Sequence, residues 1–167
     1  MHRHIYPTIL FIVSLIFLGN FPVSGKLNPK QNDTISLIGS GMGSRMIHYG
    51  HFETELYLRF PTLDLTVRNL CDEGNTPAFR PHPSRDQKEQ YAFPGADQLL
   101  PKEILASTSP KGFFDSPDEW LSRLQSNTIL CFFGFNSSFD GVQQLGRFKK
   151  ELNAFVKHTK SMPYAGK

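Results

Sequence analysis

The sequence predicts an α/β fold, a parallel sheet with helices on its faces joined by right-handed crossovers. Three observations carry this. Short β-prone runs alternate with segments of helical spacing from Thr34 onward. One run, Thr128-Ile129-Leu130-Cys131-Phe132-Phe133, is continuously apolar, the pattern of a strand buried on both faces. The closing segment, 140–160, sets Leu145, Phe148, Leu152, Phe155 and Val156 on one helical stripe.

Each element has a local reason. Thr34-Ile35-Ser36-Leu37-Ile38 is a short β-prone run that ends in the glycine-rich Gly39-Ser40-Gly41-Met42-Gly43-Ser44. Met46, Phe52, Leu56 and Phe60 then recur at helical spacing over 46–60, until Pro61 ends the helix. A second strand is predicted over 63–70, with Leu65, Val67 and Leu70 as its apolar content. Ser116-Pro117-Asp118-Glu119 is a helix start: a capping Ser, Pro in the first turn, and acids near the positive dipole end.

With 167 residues the chain has room for one domain of ordinary size. Its 18 basic and 15 acidic residues leave a formal charge of +3, too small and scattered for a nucleic-acid partner. Two Cys and no Cys-x-x-Cys exclude a disulfide scaffold, a zinc ribbon and covalent c-type haem in this chain. No cofactor is therefore expected here. Residues 1–25 read as a signal peptide. Arg3 starts it, 9–18 is apolar apart from Ser14, and Val23-Ser24-Gly25 offers small residues for cleavage before Lys26. The apolar stretch is about half of the ~20 residues a membrane-spanning helix needs. No stable membrane span is expected. Export, to a periplasmic or extracellular site, is the expectation, with 26–167 as the mature domain.

Between the second strand and Ser116 the pattern lapses into a long loop, 75–116, punctuated by Pro77, Pro81, Pro83, Pro94, Gly95, Pro101 and Pro110. Arg80, His82, Arg85, Tyr91 and Phe93 are interleaved, and aromatics of this kind favour a packed excursion over a free linker. It leaves the sheet on the side where α/β folds bind ligands.

Gly39-x-Gly41-x-Gly43 between a strand and a helix invites a dinucleotide reading. The third glycine of that fingerprint falls on Ser44, however, and Asp72 and Glu73 come too late for the ribose-binding acid. No Gly-Lys-Ser/Thr follows, which excludes a P-loop.

A different set of blocks covers more of the chain. Gly39-Ser40-Gly41 follows the first strand, Asn69-Leu70-Cys71-Asp72-Glu73-Gly74 the second, and Gly134-Phe135-Asn136 the third. In this order the blocks resemble the SGNH (GDSL-like) hydrolase family. Gly43-Ser44-Arg45-Met46, Phe93-Pro94-Gly95-Ala96 and Phe132-Phe133-Gly134-Phe135-Asn136-Ser137-Ser138-Phe139 look like its exported planctomycete and verrucomicrobial type, often fused to haem-binding modules. The resemblance runs from Thr34 to Lys167. It implies a three-layer, flavodoxin-like sheet of order 2-1-3-4-5, and hydrolysis of acyl or carbohydrate esters. It also implies an oxyanion hole built from the nucleophile's own amide, here Gly41, with Gly74 and Asn136. On a longer parent protein a haem-binding module would be a neighbour.

The triad is incomplete in this sequence. The nucleophile position falls on Gly41, which has no side chain, and Ser40 beside it is the substitute candidate. Ser44 is a further hydroxyl one helical turn on. No Asp-x-x-His stands near the C-terminus, and His158 reads as a solvated residue in the last turn of its helix. The family's fourth and fifth strands would follow Ser161-Met162-Pro163-Tyr164-Ala165-Gly166-Lys167, so a truncated sheet with the third strand at its edge is expected. Such an edge presents unpaired amides and a bare apolar face.

Cys71 and Cys131 flank the first strand in that order. Two strand spacings, about 9–10 Å, exceed the ~7 Å limit for a bridge, so both thiols are expected free. Three readings of the function result. One is a hydrolase-type domain, inactive as the chain stands; another is a non-catalytic domain that binds a glycan or partner. A dinucleotide-binding protein is third.

Overall fold

The computed structural model describes residues 27–80, 91–106 and 115–164. Residues 1–25, expected to be a signal peptide, the loop residues His82 and Arg85, and the last three residues lie outside the described residues.

The fold is α/β. Strands β1 (Thr34–Gly39), β2 (Thr66–Asn69) and β3 (Thr128–Phe132) form a parallel sheet of order β2-β1-β3. Side chains alternate across β1, so Ile35 and Leu37 face one way while Ser36 and Ile38 face the other. Ile35 and Leu37 pack with Leu56, Leu65 and Val67 in one core. Ile38 joins Leu121, Phe155, Phe93 and Ala92 in a second core. Opposite Ile38's neighbour Ser36, the Ser126 hydroxyl closes the end of the sheet with a buried 2.6 Å hydrogen bond.

Helix signals between β1 and β2 resolve into pieces. Instead of one helix over 46–60, the chain forms α1 (Gly41–Arg45), a 3-10 turn (Met46–His48) and α2 (His51–Arg59). The break falls at Tyr49, whose backbone is extended (φ −135°, ψ 98°), followed by Gly50 as the cap of α2. The apolar spacing still does its work. Met46, Phe52 and Phe60 pack against the core that holds Leu56. The second strand is also shorter than 63–70, because Asp64 takes a left-handed φ of 48° that no strand continues through.

The long excursion contributes to the core. Phe79 and Tyr91 form an isolated antiparallel bridge, and Ala92, Phe93, Ala96 and Leu100 are buried behind it. A 3-10 turn (Ala96–Leu99) and α3 (Lys102–Ala106) follow. Helix α4 (Pro117–Leu124) starts as its sequence dictates. Ser116 accepts from the Glu119 amide, and Glu119 accepts from the Ser116 amide, a reciprocal capping box.

Strand β3 departs from its pattern. Its residues are half-buried and Cys131 is exposed, because β3 has a strand neighbour on one side alone among the described residues. After it come α5 (Phe135–Ser138) and α6 (Leu145–Ser161), which starts later than 140 because Gly141 (φ 78°) and a 3-10 turn (Val142–Gln144) intervene. The expected apolar stripe is rotated. Leu145 and Val156 are exposed, and Glu151, Phe155 and Thr159 form the buried line.

Cys71, two residues past β2, and Cys131, in β3, are free thiols, and β1 lies between those two strands. Burial first, and then the neighbouring Cys131, push the Cys71 thiol up to about 12 from its ordinary 9.0. Unfolded chains release this proton near 9.0, whereas the folded chain keeps it to about 12. Stability from this group is therefore intact below pH 9 and falls as pH rises through the window to about 12. Chemical denaturation of wild type and Cys71→Ala from pH 8 to 11 checks this: the wild type is expected to lose the larger share. A parallel pH dependence in the two proteins would contradict it.

Candidate functional site

The C-terminal ends of the three strands meet at one crevice. Gly41 follows β1, Gly74 follows β2 by one short turn, and Asn136 opens the second position of α5 after β3. Together with Met42, Arg45, Glu73 and Phe135 they line a cavity of about 570 Å³. The three residues assigned to an oxyanion hole by resemblance are thus brought together, in the place where open α/β sheets take ligands.

The crevice is held by amide side chains. Asn69, the last residue of β2, donates from Nδ2 to the Gly43 carbonyl at 2.7 Å and accepts from the Cys71 amide at 2.9 Å. Asn75, buried and missed in the sequence reading, donates from Nδ2 to the Gly39 carbonyl at 3.1 Å. Its own carbonyl accepts from Asn136 Nδ2 at 3.5 Å. Gly74 sits between these anchors with φ 87°, a conformation suited to glycine. Asn75 adjoins the glycine of the second block, and that adjacency was the one signal that could have found it.

Gly39 and Gly43 serve close packing, whereas Gly41 has open space beside it. A Cβ on Gly39 would lie 2.4 Å from the Phe132 carbonyl oxygen, and one on Gly43 would lie 2.2 Å from Cys71 Sγ. Both contacts are internal to the protein, so the spacing of these glycines has a structural cause without a pyrophosphate.

Ser40 is fully buried. Its amide and its hydroxyl both donate to the Phe132 carbonyl, at 3.0 and 3.2 Å. The hydroxyl is therefore turned into the sheet, away from the lining of the crevice. Ser44 donates its hydroxyl to the Gly41 carbonyl at 3.1 Å.

His158 differs from the expectation of a solvated residue. Its Nε2 lies 2.8 Å from Asp118 Oδ2, and its ring stacks on Phe93 with centroids 5.4 Å apart. Tyr164 donates its hydroxyl to the other oxygen of Asp118 at 2.6 Å. One carboxylate thus ties α4 to α6 and to the segment beyond it. Burial, and then the adjoining Asp118 carboxylate, raise the Tyr164 phenol above its usual range, so it stays a donor. Farther along α6, Glu151 is buried with Arg147 Nε at 3.4 Å and a hydrogen bond to Thr76. Burial is the larger influence and raises its carboxyl, while Arg147 and Thr76 hold it down.

Among the described residues no group of three or more His, Cys, Asp or Glu side chains could hold a metal ion, and no helix is long and apolar enough to cross a membrane. Fold and crevice define an α/β domain with a ligand-sized cleft at its strand ends. No family model, no curated protein and no solved structure matches the chain.

Proposed function

We propose that the chain is an SGNH-hydrolase-like domain of an exported protein that binds an ester- or glycan-type ligand without hydrolysing it. One observation carries the reading: Gly41, Gly74 and Asn136 line a single crevice while the Ser40 hydroxyl is committed to the Phe132 carbonyl. Oxyanion stabilisation needs donors aimed at a developing charge, and nucleophilic catalysis needs a hydroxyl within reach of a base. The crevice offers the first requirement through the Asn136 amide and the exposed turn at Gly74. Ser40 lacks the second, since its hydroxyl hydrogen is directed to a carbonyl and His158 is not among the residues that line the crevice. Polar donors without a nucleophile suit carbonyl groups such as acetyl or acetamido substituents on a sugar.

Two measurements test this. With 4-nitrophenyl acetate, steady-state turnover is expected to match buffer, and Ser40→Ala to change nothing but stability, by about 1 kcal/mol for the lost hydrogen bond. Titration with N-acetylglucosamine is expected to move the amide resonances of Gly74 and Asn136 saturably. Turnover abolished in Ser40→Ala would make this an esterase. Unmoved resonances would remove the crevice reading.

A further inference from the structure

A second cavity, of about 280 Å³, lies beside the crevice. Ile38, Leu70, Ala92, Phe133, Phe155 and Trp120 supply its apolar lining. Protein interiors leave few voids larger than a water molecule, since unfilled apolar space forfeits contact on every wall. This one is partly open to solvent, and its volume exceeds the ~150 Å³ of an apolar cavity that binds benzene. It also lies where ligands enter such folds, since Leu70 and Phe133 each stand one residue beyond their strands.

The two cavities are lined in part by chain neighbours. Asn75 lines the apolar cavity, and its chain neighbour Gly74 lines the crevice. Asn75 is fixed from both directions, its side chain bound to the Gly39 carbonyl and its carbonyl bound by Asn136. A ligand whose carbonyl lies at Gly74 therefore has an apolar chamber one residue away. Asn75 and Thr76 offer polar groups on that side.

We infer that this chamber is a second subsite, which takes a compact apolar group, an aromatic ring or a branched acyl chain, of the ligand held in the crevice. The inference rests on the reading of the crevice as a binding site. Ring size follows from the volume; the six apolar side chains named above would face the ring, while Asn69, Asp72, Asn75, Thr76 and Arg80 make up the polar part of the lining.

The chain has one tryptophan, and it lines the chamber, so its emission reports occupancy directly. Benzyl alcohol is expected to shift Trp120 emission saturably and to show NOEs from its ring to the Ile38 and Ala92 methyls in the full chain. Ala92→Leu, which fills the chamber, is expected to weaken binding at least tenfold. A non-saturable response, or NOEs confined to other sites, overturns the subsite whether or not Ala92→Leu folds, and an unchanged affinity in folded Ala92→Leu does the same. Benzyl N-acetylglucosaminide joins both parts and is expected to bind at least tenfold tighter than benzyl alcohol. Equal affinity overturns the shared ligand. Benzyl alcohol binding that persists while N-acetylglucosamine leaves Gly74 and Asn136 unmoved supports the chamber and removes the crevice reading instead.

Discussion

Gly39→Ala is expected to destabilise the fold by about 3–5 kcal/mol, the larger of the two strongest effects. Gly39 holds φ 145°, and an added Cβ would stand 2.4, 2.5 and 2.7 Å from three backbone atoms of Phe132. Backbone strain of this kind costs about 1–3 kcal/mol, and forced overpacking about 1–3 more. No side chain can swing aside, because the obstruction is the β3 main chain. Relief requires β1 and β3 to part at the point where the Ser40 amide donates to Phe132 and where Asp72 and Asn75 both donate to the Gly39 carbonyl. Urea denaturation followed by circular dichroism checks the figure. A loss below 1 kcal/mol would mean that the strands do not approach this closely.

Asp118→Ala is expected to cost about 2–4 kcal/mol. It leaves the Tyr164 hydroxyl and His158 without their carboxylate partner, and both are largely buried. Each unsatisfied group costs about 1–3 kcal/mol, and loss of an acid from the first turn of α4 adds a few tenths through the helix dipole. Asp118→Asn keeps an oxygen for Tyr164 and is expected to lose roughly half as much. Tyr164→Phe combined with Asp118→Ala should cost less than the sum of the two, since both remove one hydrogen bond. Strict additivity would show that the tyrosine and the aspartate act separately.

Much of the fold was legible because its signals are local. Thr34-Ile35-Ser36-Leu37-Ile38, the apolar run from Thr128 and the capping box at Ser116 each declare an element within a few residues. The meeting of Gly41, Gly74 and Asn136 was legible for a related reason: each follows a strand, and parallel strands deliver their C-terminal ends to one side. What escaped is carried by distant partners. His158 reads as a last-turn residue until Asp118, 40 positions away, is placed against it. The buried line of α6 includes Glu151 and Thr159, which an apolar periodicity cannot find. The burial of Glu151 becomes intelligible through Arg147 and Thr76, the groups that bond to it. The division of 46–60 turned on the extended backbone of Tyr49, which its identity does not announce.

The central position of β1 also has a consequence for the order of assembly. Its first residue pairs with Thr66 on one side, and its amide bonds to Asn127, 93 residues along the chain, on the other. Closing a longer loop sacrifices more chain entropy before any contact rewards it. The half of the molecule made by β1, α2 and β2 can therefore gather during synthesis while the rest is still emerging. The opposite face of the central strand waits, bare, for partners encoded much later. Mutations in the Ile35–Leu56–Val67 core should accordingly slow folding, and those around Phe155 should chiefly hasten unfolding.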